Sequence, residues 1–333
     1  MDIIITVLLF ILGLIIIIKG GDWFVESAVW LAKVTGIPSV LIGATIVSVA
    51  TTLPELLVST IATYQKFYDV AIGNVVGSLV CNIGLILGAT ALLSPIKISR
   101  KSFALKSGFM LSICIIVFMM SWDKMITGFE GSILLILFGI YIAMNILEFK
   151  GKNKGAGDGM ERIQYDKTHA TKNIFMFVLG AVFITVGARL LVTNGVAIAK
   201  LIGIPEQVVS LTLIALGTSL PELITAITSV VKGHHGISVG NIIGANILNM
   251  VMVIGLSSKI AEEGLVISYQ NVMVGATIYN IPQTLYLDLP VALGLMAILF
   301  IGGGLLGKIN RWIGAILLSV YSIYIFTLAR LFL

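Results

Sequence analysis

The sequence predicts an all-α polytopic membrane protein of ten transmembrane helices, arranged as two inverted five-helix repeats. Three observations lead there. First, 58% of the 333 residues are hydrophobic and only 11% are charged, whereas soluble domains carry about 25% charged residues. Second, ten apolar segments are each long enough to cross a hydrocarbon core of roughly 30 Å. Third, Thr-Thr-Leu-Pro-Glu at 51–55 returns 167 residues later as Thr-Ser-Leu-Pro-Glu at 218–222.

The segments fall at 3–18, 39–63, 70–93, 103–121, 125–147, 173–198, 207–231, 237–257, 290–307 and 312–332. The first follows Met-Asp with neither a basic n-region nor a small-residue cleavage site, so it reads as a retained helix. The one long polar stretch, 148–172, is glycine-rich and mixed in charge; it reads as a linker between a first repeat, 1–147, and a second, 173–333. At an offset of 167 the halves align without gaps over their motifs. Gly13 pairs with Gly180, Gly20 with Gly187, Gly36-Ile37-Pro38 with Gly203-Ile204-Pro205, and Thr45 with Thr212. Leu53-Pro54-Glu55-Leu56 pairs with Leu220-Pro221-Glu222-Leu223, Gly73-Asn74 with Gly240-Asn241, Asn82 with Asn249, and Gly88 with Gly255. Five helices is an odd number, so the second half enters the membrane in the opposite sense. Inverted repeats of this kind are the usual architecture of secondary transporters, with the substrate site at the midplane. The register breaks after Ser258, where an insertion near 259–280 reads as an external loop with an interfacial or short structured segment.

Positive charge sorts by side. With the N-terminus outside, one set of connections holds fourteen of the 21 Lys and Arg residues, Lys106 and the 148–172 cluster among them, and the other holds five. That bias places the linker in the cytoplasm and both termini outside a cell membrane. It also explains the basic pI without a nucleic-acid partner. Cys81 and Cys114 have neither metal-ligand nor disulfide spacing and read as packing residues. His169, His234 and His235 read as loop residues without a metal role. Asp22 and Glu26, near the end of the first helix with Arg189 at the position matching Asp22, read as structural groups, interfacial or paired between repeats.

The repeated motif carries the chemistry. Pro54 and Pro221 have no amide hydrogen and clash with the carbonyl four residues earlier, so each loosens its helix near Ala50–Thr51 and Gly217–Thr218. In a membrane such carbonyls persist only where protein, water or an ion satisfies them. The hydroxyls of Thr51, Thr52, Thr218 and Ser219 and the carboxylates of Glu55 and Glu222 complete an all-oxygen set. Oxygen ligands without thiolate or clustered imidazole select hard cations, and this irregular set suits calcium better than magnesium. A kinked helix with a hydrogen-bonded acid would explain one copy; two copies in register point to a site. The second motif, Gly-Asn-Val-Val-Gly-Ser at 73–78 with Asn82, recurs as Gly-Asn-Ile-Ile-Gly-Ala at 240–245 with Asn249. Its glycines suit close helix packing alone. Its asparagines, with Asn246, can complete a monovalent-cation site beside the glutamates.

These paired motifs resemble the α-repeats of the cation/calcium exchanger superfamily, and most closely its prokaryotic sodium/calcium exchanger branch, over nearly the whole chain. The resemblance implies calcium extrusion driven by inward sodium flow, at sites among the second, third, seventh and eighth helices. It makes Glu55 and Glu222 the carboxylates shared by calcium and sodium, with Thr51 and Thr218 giving backbone and side-chain oxygens. Ser48 and Ala215 match positions that offer carbonyls to sodium, Ser78 matches a sodium-binding hydroxyl, and Asn82 lines the centre. Two positions depart from the archaeal pattern: Ala245 stands where a serine is expected and Asn249 where an aspartate is expected. The core then keeps two acids, so its sodium stoichiometry is open.

The expected function is a secondary-active antiporter exporting calcium for sodium. The long first and sixth helices would slide past the core to change access. A proton-coupled cation antiporter is the alternative, weakened because Val75–Val76 and Ile242–Ile243 supply no carboxylate inside the motif; a passive channel is a further one. The chain is not expected to be an enzyme. Calcium, sodium and the lipid bilayer are the expected partners, without cofactor, nucleic acid or obligate protein partner.

Overall fold

The computed structural model describes residues 3–96, 100–151, 167–201, 217, 219–274, 277–305, 307 and 309–332. Among these, nine helices are long and apolar enough to cross a membrane. They are α1 (Ile3–Thr35), α2 (Ser39–Tyr64), α3 (Tyr68–Leu93), α4 (Arg100–Asp123), α5 (Gly128–Lys150), α6 (Lys167–Leu201), α8 (His235–Ile260), α9 (Thr284–Leu305) and α10 (Arg311–Phe332). Between α6 and α8 lies the shorter apolar helix α7 (Leu220–Val231). The first part of the expected segment 207–231 lies outside the described residues, as do Ala215, Thr218 and most of the 148–172 linker.

Helix α1 continues 17 residues beyond the expected end at 18. Lys19, Asp22 and Glu26 are polar but compatible with a helix, so hydropathy falls where helicity does not. What stops α1 is Gly36, at φ +68, whose amide donates to the Ala32 carbonyl at 2.9 Å. A left-handed glycine followed by Pro38 is a strong helix terminator.

The chain divides into two compact units, Met1–Thr51 with Ala143–Gly244, and Thr52–Ile142 with Ala245–Leu333. Each draws on both halves of the sequence. In the first unit α1 and α6 pack along their length through glycines. A methyl on Gly13 would lie 3.1 Å from the Gly187 carbonyl, and one on Gly20 would lie 2.9 Å from the Gly180 carbonyl. Positions that rise along α1 meet positions that fall along α6, so the two helices are antiparallel. Small residues at such crossings let backbones approach closely in lipid. Phe24 stacks on Phe177 at 4.4 Å, and Ile17, Val25, Ala28 and Ile184 complete a buried seam. Asp22 and Glu26 pair across the halves with Lys232, at 2.9 and 2.7 Å.

In the second unit, the later turns of α3 and α8 repeat one local design. Cys81–Leu87 and Asn249–Ile254 are wide π-helical turns, and each gives way to α-helix at Gly88 or Gly255. Gly88 meets Gly314 and Leu318 on α10, while Gly255 meets Gly131 and Leu135 on α5. Single π turns inside α-helices concentrate at functional sites.

The all-helical expectation needs one correction, because among the described residues four short strands form two antiparallel pairs. β1 (Met125–Ile126) pairs with β2 (Leu265–Val266), and β3 (Gln270–Val274) forms a hairpin with β4 (Thr277–Ile281) in the register Gln270↔Ile281. Three of these strands lie in or beside the insertion, whose Val, Ile and Thr content favours extended backbone. Asp69 Oδ1 accepts the Ser268 amide at 3.4 Å. Lys106, placed in a connection by the sequence, lies inside α4 and is 3% exposed. Its stem packs in the helix bundle and its ammonium sits 6.0 Å from the centre of the Tyr141 ring.

Candidate functional site

Helix α2 is amphipathic in the sense a membrane demands. Thr52, Glu55, Ser59 and Thr63 are buried, while Leu53, Leu57, Ile61 and Tyr64 are exposed. The buried positions recur every three or four residues and therefore share one face. Lipid is as apolar as leucine, so the polar stripe turns inward. Glu55, at 0% exposure, sits in this stripe immediately after Pro54. The helix runs through Pro54, and its wide turn lies upstream at Gly43–Val47 rather than at Ala50–Thr51 as expected. Pro54 still offers no amide to the Ala50 carbonyl.

Asn74 braces this stretch. Its Nδ2 donates to the Glu55 backbone carbonyl at 3.2 Å and to Ser59 Oγ at 2.9 Å, and Ser59 Oγ donates to the Ala71 carbonyl at 3.2 Å. In the same unit, Ser78, Asn82, Asn246 and Asn249 are all buried. Asn82 Nδ2 donates to Asn246 Oδ1 at 3.3 Å. Among the described residues neither Asn82 Oδ1, nor Thr52 Oγ1, nor either side-chain atom of Asn249 has a hydrogen-bond partner. Buried polar atoms left this way cost about 1–3 kcal/mol each, and amide and hydroxyl oxygens are ligands for hard cations.

The other unit holds the second copy of the Leu-Pro-Glu motif. Ser219 caps α7, and its carbonyl accepts the Leu223 amide at 3.0 Å. Pro221 falls in the first turn, where its missing amide hydrogen costs nothing. Here the proline stands at the start of its helix, whereas α2 continues through its own. Glu222 is 0% exposed, and Thr225 and Ser229 are equally buried on the same face of α7. Ser48 and Thr51 belong to this unit; the Thr51 hydroxyl donates to Asn241 Oδ1 at 3.1 Å, with the Ser48 carbonyl a second acceptor at 3.4 Å. Gly236, Gly240 and Gly244 let α8 lie against the start of α2. A methyl on Gly244 would come 2.6 Å from Ser48 Oγ and 2.7 Å from the Ala44 carbonyl. The packing role expected of the Gly-Asn motif's glycines is therefore seen for Gly240 and Gly244, whereas a methyl on Gly73 or Gly77 of the first copy would meet nothing within 4 Å. Ala215 and Thr218 lie outside the described residues.

The sodium/calcium exchanger protein family matches residues 5–147 and 172–330. The chain belongs to this family. Among similar proteins, the sodium/calcium exchanger MaX1 of Methanosarcina acetivorans is 30% identical, over 96% of this chain and 97% of its own length. The inner membrane protein YrbG of Escherichia coli is 34% identical, over 76% of this chain and 79% of its own. A solved structure of the sodium-calcium exchanger NCX_Mj, soaked with sodium and strontium, superposes with a TM-score of 0.80 at 29% identity. That match covers 97% of this chain and 98% of the other. The chain is thus a multi-pass membrane protein of an ion-exchanger family rather than of an enzyme family.

This exchanger also holds buried polar groups that the sequence reading passed over. Asp288, at the start of α9, accepts from Gln283 Nε2 at 3.2 and 3.3 Å and from the Tyr324 hydroxyl at 3.0 Å. An acid within an apolar run is the available signal. Thr225 and Ser229 gave less warning, since single hydroxyl residues are ordinary in membrane helices.

Proposed function

We propose that this exchanger exports calcium across the cell membrane in exchange for sodium, with Glu55 and Glu222 holding the two ions in turn. The observation that carries the reading is the duplicated glutamate. Each copy follows a proline in an apolar helix, is fully buried, and stands in a stripe of buried hydroxyls. A carboxylate deep in a bilayer is expensive and is kept for function. Two carboxylates also match the charge of one calcium ion.

Around them we assign Thr51 and Thr218 through backbone and side-chain oxygens, and Ser48 and Ala215 through carbonyls. Thr52, Ser219 and Ser78 contribute hydroxyls, and Asn82 and Asn249 contribute amide oxygens. The unpartnered Thr52, Asn82 and Asn249 atoms support this set. Ten membrane helices in two inverted repeats, 1–147 and 173–333, joined by a cytoplasmic linker at 148–172 with both termini outside, complete the reading. The antiparallel packing of α1 and α6 supports the inversion, as do the matched π turns of α3 and α8. The insertion near 259–280 is assigned to the outer face.

Coupling follows from exclusion. If sodium and calcium need the same carboxylates, each empties the site of the other, and each crosses only when the loaded protein reorients. The test is radioactive calcium uptake into proteoliposomes loaded with sodium, with potassium-loaded and pH-gradient controls. Uptake that requires an outward sodium gradient is expected. Uptake driven by a proton gradient alone, or leak without any gradient, contradicts sodium coupling.

A further inference from the structure

The two motif-bearing helices differ beyond their glutamates. In α2, the hydroxyls that follow Glu55 are used up within the protein. Ser59 Oγ donates to the Ala71 carbonyl at 3.2 Å, and Thr63 Oγ1 donates to the Ser59 carbonyl at 2.8 Å. In α7, two buried hydroxyls that follow Glu222 stay open. Thr225 Oγ1 and Ser229 Oγ are fully buried and have no hydrogen-bond partner among the described residues. Ser238 Oγ, near the start of α8, is in the same condition. A helical threonine or serine ordinarily satisfies its hydroxyl on the carbonyl four residues back, as Thr45, Thr60 and Thr63 do here. Thr225 and Ser229 turn away from that option.

The spacing gives these groups direction. Residues 222, 225 and 229 are three and four apart and lie on one face, spanning about 10 Å along the axis. The line starts at a carboxylate and ends beside the turn at Lys232–His234, where the His234 amide donates to the Ser229 carbonyl at 2.7 Å. The register is not duplicated. The positions matching Thr225 and Ser229 in the first half are Val58 and Ala62, so this open stripe belongs to the second copy of the motif only.

We propose that Thr225 and Ser229, with Ser238 in the first turn of α8, line the route by which a hydrated cation passes between Glu222 and the α7–α8 turn. Hydroxyl oxygens substitute for the water that a hard cation sheds on entry, and buried unpaired hydroxyls are stabilised by a passing ion or its water shell. The calcium and sodium cargo rests on the function proposed above, and the orientation proposed there puts the α7–α8 turn on the cytoplasmic side.

Single cysteines at 225 and 229 test the route in oriented proteoliposomes, using a membrane-impermeant cationic thiol reagent applied to one face at a time. The unsubstituted protein supplies the background, because Cys81 and Cys114 are buried. Lys232→Cys on the turn reports that this face is folded and reachable. The expected result is reaction of Ser229→Cys, and more slowly Thr225→Cys, from the face that labels Lys232→Cys, with protection by calcium or sodium. Reaction of all three from the outside would keep the route and overturn the orientation. Protection by calcium but not sodium would keep the route and count against the shared site. No reaction at 225 or 229 from either face, with Lys232→Cys reactive, would overturn the route. In parallel, Thr225→Val should slow calcium exchange about tenfold while Thr225→Ser restores it. Equal rates in both variants would count against a hydroxyl role.

Discussion

At the scale of single residues, the informative contrast is between acids that a membrane protein keeps and amides that it substitutes. Glu55 and Glu222 occupy matched positions and identical burial. Asn249 is buried with neither amide atom bonded among the described residues, at a position where the family resemblance led us to expect an acid. Asn249→Asp would place a third ionisable oxygen donor there. We expect a changed sodium requirement and a new pH dependence of exchange, measured as initial uptake rates across sodium concentrations and pH. An unchanged profile would exclude Asn249 from the ion path. Both glutamates were legible in the sequence because duplication removes chance as an explanation. Thr225 and Ser229 were not: hydroxyl residues are common in membrane helices, and only the bonding of their oxygens separates a packed serine from an open one. Asn74 and Asn241 show the same limit. Their positions match, yet one braces the Glu55 carbonyl and the other receives the Thr51 hydroxyl.

At the scale of elements, hydropathy located the spans but misplaced several ends. Helix α1 runs to Thr35 because helicity stops at Gly36 and Pro38, and not where the first charge appears. The β3–β4 hairpin escaped notice since strand signals within a 20-residue insertion compete with apolar periodicity on every side. Helix crossings carry a sharper expectation. A methyl on Gly180 would fall 2.7 Å from the Phe24 amide nitrogen and 2.8 Å from the Gly20 carbonyl, backbone atoms that yield only if the helices part. Gly180→Ala should therefore lower stability by about 1–3 kcal/mol, read as a reduced melting temperature in detergent. Unaltered melting would mean that α1 and α6 do not pack as described.

The turn after α7 adds a pH expectation at the same scale. Burial works against the Lys232 ammonium, but Glu26 and Asp22 outweigh it and hold its pKa above the ordinary lysine value. Burial, followed by the charges of Lys33, Lys232 and His235, lowers the His234 pKa below its ordinary 6.5. The folded protein therefore disfavours charged His234 more than the unfolded chain does. Its contribution is intact above pH 6.5 and is lost as pH falls through the lowered value. The melting temperature of the parent should therefore fall more on acidification than that of His234→Gln. Parallel pH curves would contradict this.

At the scale of the whole molecule, the partition by sequence and the partition by contact differ, and both are informative. The proposed duplication divides the chain at 148–172, and the family match falls in two stretches, 5–147 and 172–330. Compactness instead joins the start of α2 to α1, α6 and α7, and the later part of α2 to α3 and the end of α8. The recurring motifs were legible because they align without gaps; the joining of pieces from both halves was not, because it depends on which helices pack, and apolar helices carry little sequence record of their neighbours. The function proposed here needs sodium and calcium to compete for one pair of carboxylates. Equilibrium calcium binding to the purified protein, titrated with sodium, measures that most directly when run beside Glu55→Gln and Glu222→Gln. The account predicts calcium binding that sodium displaces in the parent and that is lost in each single variant. Calcium retained at parental affinity in either variant, or bound alongside saturating sodium, would contradict it.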